Sequence, residues 1–377
     1  MSSAIEFKFY FFYHEYMVRV AINGYGRIGR VAHRIIIDKF SDQIEIVAIN
    51  AGSSTDMQGW MYLLKYDTMY HELNHHALFV QKAEEVEAKY SLETIGALVV
   101  DDKVIPFFSE KDPSKLPWKD LNVDVVIEST GAFTTPEKIQ PHLDAGAKSV
   151  MLSAPFKDEE SSATYVLGVN LNENEGDKLE NVVSNASCTT NCIAPVAAII
   201  HESFGIEKAM MTTIHSYTSD QNVHDGGHKD YRRARAAAQN IIPTSSGATI
   251  AAAKAIPELK GIFNGLAIRV PTAVGSLSDF TFLLKRDVTV EEVNNALKAA
   301  SENPRWKGIF TVTNDPIVSS DIIGNSHSSI ADISLTQVVG GNMLKVIAWY
   351  DNEFGYSNRL VEETLILGRK AQGTPQS

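Results

Sequence analysis

The feature that most constrains this chain is a short apolar run that passes at once into glycines. Residues 18–23 read VRVAIN, Gly24-Tyr25-Gly26-Arg27-Ile28-Gly29 follow directly, and VAHRIIIDKF comes next. A buried strand, a tight glycine turn and an apolar-faced helix open a parallel βαβ unit, and IEIVAIN at 44–50 supplies its second strand. Glycines at these spacings let the backbone approach a pyrophosphate while the first N–H groups of the helix face its charge. Gly24, Gly26 and Gly29 are therefore expected to line a dinucleotide site, with Arg27 and Ile28 in the first helical turn. The second strand of such a unit normally ends in an acid that binds the adenosine ribose. Here it ends Asn50-Ala51, and the nearest carboxylate is Asp56, several residues into the loop. An acid at the strand end repels a 2′-phosphate, so its absence removes the main discrimination against NADP. If Asp56 reaches back instead, it restores a preference for NAD.

Further strands are expected at Val123–Glu128 and Ser149–Leu152, with a helix over Pro136–Ala145 between them. A second region begins near Cys188 with a helix over 188–203 and a strand ending at His215. From Ser216 to Asn240 no apolar period is seen. Strand-like stretches recur at 266–270, 276–284, 308–313 and 331–350, and a helix at 290–300 carries capping-box spacing at Thr289 and Glu292. The alternation in SLSDFTFLL suggests a mixed or antiparallel sheet. The expected fold class is α/β: an N-terminal Rossmann domain with a doubly wound parallel sheet, then an α+β catalytic domain with a mixed or antiparallel sheet. The boundaries expected are an extension at 1–16, a dinucleotide domain at 17–187 completed by a last helix over 353–370, and a catalytic domain at 188–352. Residues 70–96 are polar and weakly periodic and read as a surface insertion. Residues 1–16 are rich in Phe and Tyr but lack the basic start and continuous apolar stretch of a secretory signal.

With 377 residues the chain has material for two ordinary domains. Its net charge of −12 argues against a partner held through nucleic-acid phosphates. No run of eighteen apolar residues suggests a membrane span. The two cysteines, Cys188 and Cys192, are too few and too close for a disulfide framework, which points to a reducing cytosol. His224 and His228 read as solvated loop residues, and no metal site is expected.

Cys188 opens a helix, with Ser187 as its cap. A first-turn cysteine feels the helix dipole and exposed N–H groups, which favour thiolate. His215 is a candidate base, since a cysteine nucleophile needs one near neutral pH. The backbone N–H of Cys188 is placed to steady a developing oxyanion. Cys192, one turn on, reads as a packed thiol.

The motifs SNASCTTNCIAP, HSYTSDQ, HKDYRRARAAAQNIIPTSSGA, AIRVPT and WYDNEFGYSNR closely resemble the glyceraldehyde-3-phosphate dehydrogenase family of bacterial and organellar style, from about Met17 to Arg369. The resemblance implies reversible, phosphorylating oxidation of glyceraldehyde 3-phosphate to 1,3-bisphosphoglycerate by a cytoplasmic homotetramer using NAD or NADP. It implies that Cys188 attacks the aldehyde, that His215 accepts the hydroxyl proton, and that phosphate cleaves the resulting thioester. Thr218 and Arg269 would hold the C3 phosphate of the substrate. Ser187, Thr189, Arg232, Ser246 and Gly247 would hold the attacking phosphate. Asn352 would fix the nicotinamide carboxamide, while Asn50, Ala51, Thr130 and Ser153 would border the cofactor.

The chain departs from that pattern at Ala51, in the place of the ribose-binding acid, and at Gly226-Gly227, where NAD-specific members carry Leu-Pro. Both changes make room for a 2′-phosphate, although no Lys or Arg occurs from Asn50 to Trp60. Lys111 replaces the usual arginine of an Arg-Asp-Pro motif. Two rivals are weighed. Erythrose-4-phosphate dehydrogenases typically lack both the threonine at Thr218 and the phosphate loop Pro243–Gly247. A catalytically inactive nucleotide-sensing regulator would show a broken Cys–His pair.

Overall fold

A computed structural model describes residues 17–73, 76–86, 90–157 and 163–373, so the extension at 1–16 lies outside the described residues. The chain forms two compact units. One comprises the chain up to Ala163, Glu173–Asn185 and the chain from Leu360 on; the other comprises Thr164–Asn172 and Ala186–Arg359.

The first unit is built on strands β1 (Val18–Asn23), β2 (Ile44–Asn50), β5 (Leu78–Lys82), β6 (Gly96–Val100), β7 (Lys103–Phe108), β8 (Val125–Glu128), β9 (Ser149–Leu152) and β10 (Val182–Ser184), plus a small hairpin of β3 (Tyr66–Asp67) and β4 (His71–Glu72). Their order in the sheet is β10-β9-β8-β1-β2-β7-β6-β5. The neighbours from β10 through β7 run parallel. They are near-continuous apolar runs because both faces of a parallel sheet are covered; β8 and β9 are buried at every position. The strand order reverses between β1 and β8, where α/β sheets open a crevice for ligands beyond the strand ends.

The region expected to be a surface insertion is partly sheet. Leu78–Lys82 pairs antiparallel with β6, which pairs antiparallel with β7. The five-residue run LFVQK sits between polar stretches too short and irregular to reveal a strand on their own. It lies at the sheet edge, with Phe79 exposed.

The second unit carries β11 (Ile206–Ser216), β12 (Ile242–Ser245), β13 (Phe263–Val270), β14 (Ser276–Leu284), β15 (Phe310–Thr313), β16 (Ser329–Asp332), β17 (Gln337–Val339) and β18 (Met343–Tyr350). The order is β12-β13-β11-β14-β18-β16-β15, with β17 on β18, and the sheet is mixed: β11 is parallel to β13 and antiparallel to β14. Along β14 buried and half-buried residues alternate without a break, as the sequence predicted. The stretch 331–350 divides into strands, because Gly340 and Gly341 both take positive φ, 61° and 87°, and turn the chain between β17 and β18. The helix Val290–Glu302 carries the full capping box, Thr289 and Glu292 each bonding the other's backbone N–H.

Candidate active site

In the first unit the helix Arg27–Lys39 starts at Gly26, whose position has no side-chain cap. The three loop glycines differ in what surrounds them. Gly24 takes φ +97°, and a Cβ there would lie 2.6 Å from the backbone N of Thr130. A Cβ at Gly29 would lie 2.2 Å from the Gly24 carbonyl oxygen. A Cβ at Gly26 would meet nothing within 4 Å. Two glycines therefore permit close packing, and the third leaves open space in front of uncapped helical N–H groups. That is the shape and polarity a pyrophosphate needs, so the residues present fit a dinucleotide.

The side chains around the loop are mostly committed. Arg27 pairs with Asp67 at 2.5 Å, and Arg30 donates to the Tyr25 carbonyl. Asn50 donates to the Asn23 side chain and to the Glu110 carbonyl, and accepts from the Glu110 N–H. It ties strand ends together rather than offering a free amide. Thr130 is held by Glu128, a fully buried carboxylate that accepts from its N–H and hydroxyl, from Asn23 and from His142. The sequence reading had no place for Glu128; a lone acid ending an apolar strand carries no pattern. Ser153 donates its N–H to the Glu128 carbonyl. Ala51 is half-buried, and Asp56 caps the next helix by accepting from the Gly59 N–H at 2.8 Å. The Asp56 carboxylate is thus turned to its own helix.

In the second unit, Ala186 takes φ +51°, uncommon without a glycine, and feeds directly into Ser187. Ser187 caps the helix Cys188–Phe204, its hydroxyl accepting from the Thr190 N–H. Cys188 Sγ lies 3.4 Å from His215 Nε2. His215 Nδ1 lies 2.6 Å from the Ser216 carbonyl oxygen and 2.9 Å from an Arg269 Nη1. One nitrogen cannot both donate to the first and accept from the second. The shorter contact is to an oxygen that can only accept, so Nδ1 carries the proton and Nε2 offers its lone pair to the thiol. Arg269 still donates to the same carbonyl at 2.9 Å.

Burial dominates the protonation of this pair. It holds the imidazole neutral, and together with the Arg269 charge lowers His215 to about 3. It also pushes the Cys188 thiol up, against the pull of Arg269 and of Thr189. The thiolate-favouring helix start is therefore present but outweighed in the free protein. Cys192 sits between the Ser278 and Ser329 hydroxyls and is pushed up to about 12 by burial, as suits an inert packed thiol.

Two groups of donors flank the pair. Arg269 reaches Thr218 Oγ1 at 3.4 Å, and its buried Nε has no partner among the described residues. On the other side, Thr190 Oγ1 donates to the Ala248 carbonyl at 3.4 Å, bringing together the starts of the helices Cys188–Phe204 and Ala248–Ala255. Ser187 and Thr189 belong to the first start; Ser246 and the uncapped Gly247 belong to the second. Both neighbouring arginines meet this loop, Arg232 at the Pro243 carbonyl and Arg233 at Thr244 and Ser245. Arg233 donates to Thr244 Oγ1 at 3.0 Å and to the Ser245 carbonyl at 3.3 Å, and pairs with Asp220 at 2.6 Å. Its charge reaches both His215 and Arg269. Arg232 is exposed and makes one 3.5 Å contact to the Pro243 carbonyl. Asn352 is fixed through its carboxamide oxygen, which accepts from Gly275 N–H and Ser276 Oγ, leaving its amino group as the donor.

A glycine loop on a sheet with Rossmann strand order, and a half-buried cysteine beside a buried histidine with arginine and hydroxyl groups near them, define a nicotinamide-dependent oxidoreductase with a thiol nucleophile. Residues 18–136 match the NAD binding domain of glyceraldehyde 3-phosphate dehydrogenase, and residues 187–352 match its C-terminal domain. The chain is 52% identical over 351 residues to the glyceraldehyde-3-phosphate dehydrogenase of Thermotoga maritima, covering 93% of this chain and 99% of that one. It is 48% identical over 353 residues to glyceraldehyde-3-phosphate dehydrogenase 2 of Streptomyces avermitilis (94% and 99% covered) and 50% identical over 351 to the enzyme of Borreliella burgdorferi (92% and 98%). The chain belongs to the glyceraldehyde-3-phosphate dehydrogenase family.

Proposed function

We propose that this protein oxidises glyceraldehyde 3-phosphate to 1,3-bisphosphoglycerate with inorganic phosphate and NAD or NADP, reversibly. The observation that carries the reading is the Cys188 Sγ to His215 Nε2 distance of 3.4 Å, with the Arg269 guanidinium beside the imidazole and Thr218. The dinucleotide domain is taken as residues 17–187 with the helix over 353–370, and the catalytic domain as 188–352. The working form is a cytoplasmic homotetramer. Among the described residues no helix is long and apolar enough to cross a membrane.

Arg269 and Thr218 hold the C3 phosphate, which presents the aldehyde carbon to Cys188. The thiol proton passes to His215 Nε2 as the C–S bond forms, and the Cys188 N–H donates to the carbonyl oxygen as it gains charge. His215 returns that proton to the oxygen, and then takes the hydroxyl proton back as hydride leaves the same carbon, giving a thioester on Cys188. The bound nicotinamide supplies the hydride acceptor. Arg232, Ser187, Thr189, Ser246 and Gly247 then hold a phosphate dianion, whose oxygen attacks the thioester and expels the Cys188 sulfur. Glyceraldehyde 3-phosphate and erythrose 4-phosphate, each assayed with and without phosphate, test the reading. Turnover of the triose that requires phosphate is expected; faster, phosphate-independent turnover of the tetrose would overturn it.

Replacement of the ribose-binding acid by Ala51, with Asp56 committed as a cap, supports acceptance of NADP at least as well as NAD.

A further inference from the structure

Tyr350, at the end of β18, is buried, and its hydroxyl lies between two threonine hydroxyls. It is 3.0 Å from Thr189 Oγ1, in the first turn of the nucleophile helix, and 2.8 Å from Thr213 Oγ1, two residues before His215 on β11. Its ring meets the His215 ring edge-on, with centroids 6.0 Å apart. The three hydroxyls have one proton each, and the partners limit where each proton goes. Thr213 Oγ1 donates to the Leu277 carbonyl at 3.2 Å, so it accepts from Tyr350. Tyr350 has then spent its only proton and accepts from Thr189. In this arrangement the Thr189 proton points inward, away from any anion. Reversing the chain, with Tyr350 donating to Thr189, frees the Thr189 proton without moving a heavy atom. Burial holds the phenol far above its ordinary range, so it acts as a neutral relay and not as a base.

We propose that Tyr350 is a positioning residue for the attacking phosphate: its hydroxyl anchors Thr189 and, by reversing its hydrogen bond, turns the Thr189 proton outward to the anion. This rests on the reading of Thr189 as a phosphate ligand, and the test separates the two.

Tyr350→Phe keeps the ring against His215 and deletes only the hydroxyl, while Thr189→Val deletes the ligand itself. Steady-state kinetics should show each variant raising the KM for phosphate, Tyr350→Phe by about threefold to tenfold, as expected for one neutral hydrogen bond. The aldehyde KM and the melting temperature should stay near the parent values. The double variant should match Thr189→Val alone, because without the threonine hydroxyl the tyrosine has nothing to turn. A phosphate KM within about twofold of the parent in Tyr350→Phe, or an equal rise in both KM values, overturns the role of Tyr350. An unchanged phosphate KM in Thr189→Val overturns the ligand reading instead. Should Tyr350→Phe fail to fold, Thr213→Val removes the other partner of the phenol at equal side-chain shape. That loss leaves the phenol proton to Thr189, so a phosphate KM at or below the parent value is then expected, and a rise counts against the relay.

Discussion

On the proposed function, the two sites use opposite means to hold phosphate groups. The glycine loop works by subtraction: Gly24 and Gly29 remove Cβ atoms that would collide with backbone, Gly26 leaves open space, and the nearby arginines are committed elsewhere. The catalytic unit works by addition. Arginines, threonine and serine hydroxyls and two helix starts are gathered in the unit that carries Cys188. The first can therefore be damaged by adding an atom or a charge, and the second only by taking groups away.

The largest effect should come from removing the reacting groups. Cys188→Ser should abolish turnover yet leave cofactor binding intact, since an alkoxide is far harder to form than a thiolate. His215→Asn should slow acylation by roughly 10²–10⁴-fold, the usual worth of a general base, and slow alkylation of Cys188 near neutral pH. Near-parental rates in either variant would remove that residue from the chemistry.

Adding a charge to the subtractive site comes next. Ala51→Asp should swing selectivity towards NAD, measured as the ratio of kcat/KM values. Two charges about 4 Å apart repel by about 1 kcal/mol in water and roughly 4 kcal/mol at an effective dielectric near 20. The upper figure corresponds to about a thousandfold. A parent that already prefers NAD by more than about tenfold would show that something other than residue 51 sets the preference.

Deleting one donor from the additive site should cost less. Arg232→Ala should raise the KM for phosphate by about tenfold or more, as a hydrogen bond to a charged group contributes roughly 1.5–3 kcal/mol. A phosphate KM within about twofold of the parent would remove Arg232 from that site.

The smallest effect concerns pH and stability. Buried His215 and His33 are both lowered from 6.5 to about 3. The unfolded chain binds these protons first, so stability present above about pH 6.5 is lost as the pH falls towards 3. His215→Asn should make the melting temperature less sensitive to acid over that window, and an unchanged slope would mean the imidazole is already charged when folded.

How far the sequence revealed these sites follows from the same contrast. The parallel strands and the glycine turn were readable because continuous apolar runs and Gly spacing follow local rules. Thr289 with Glu292, and Ser187 as a cap, were readable for the same reason. The long motifs carried the family resemblance and with it Cys188 and His215. What escaped depends on tertiary register. Glu128 becomes a fourfold acceptor only once β1, β8 and the helix Pro136–Asp144 meet. Tyr350 and Thr189 are far apart in sequence, so their hydrogen bond follows no local rule.

The most direct measurement omits phosphate. Protein mixed with glyceraldehyde 3-phosphate and cofactor alone should form one equivalent of reduced nicotinamide per chain and then stall. Mass spectrometry should then place an acyl adduct on Cys188, which added phosphate removes as turnover begins. Continuous turnover without phosphate, or a stalled enzyme with no adduct on Cys188, would contradict a thioester at Cys188 opened by phosphate.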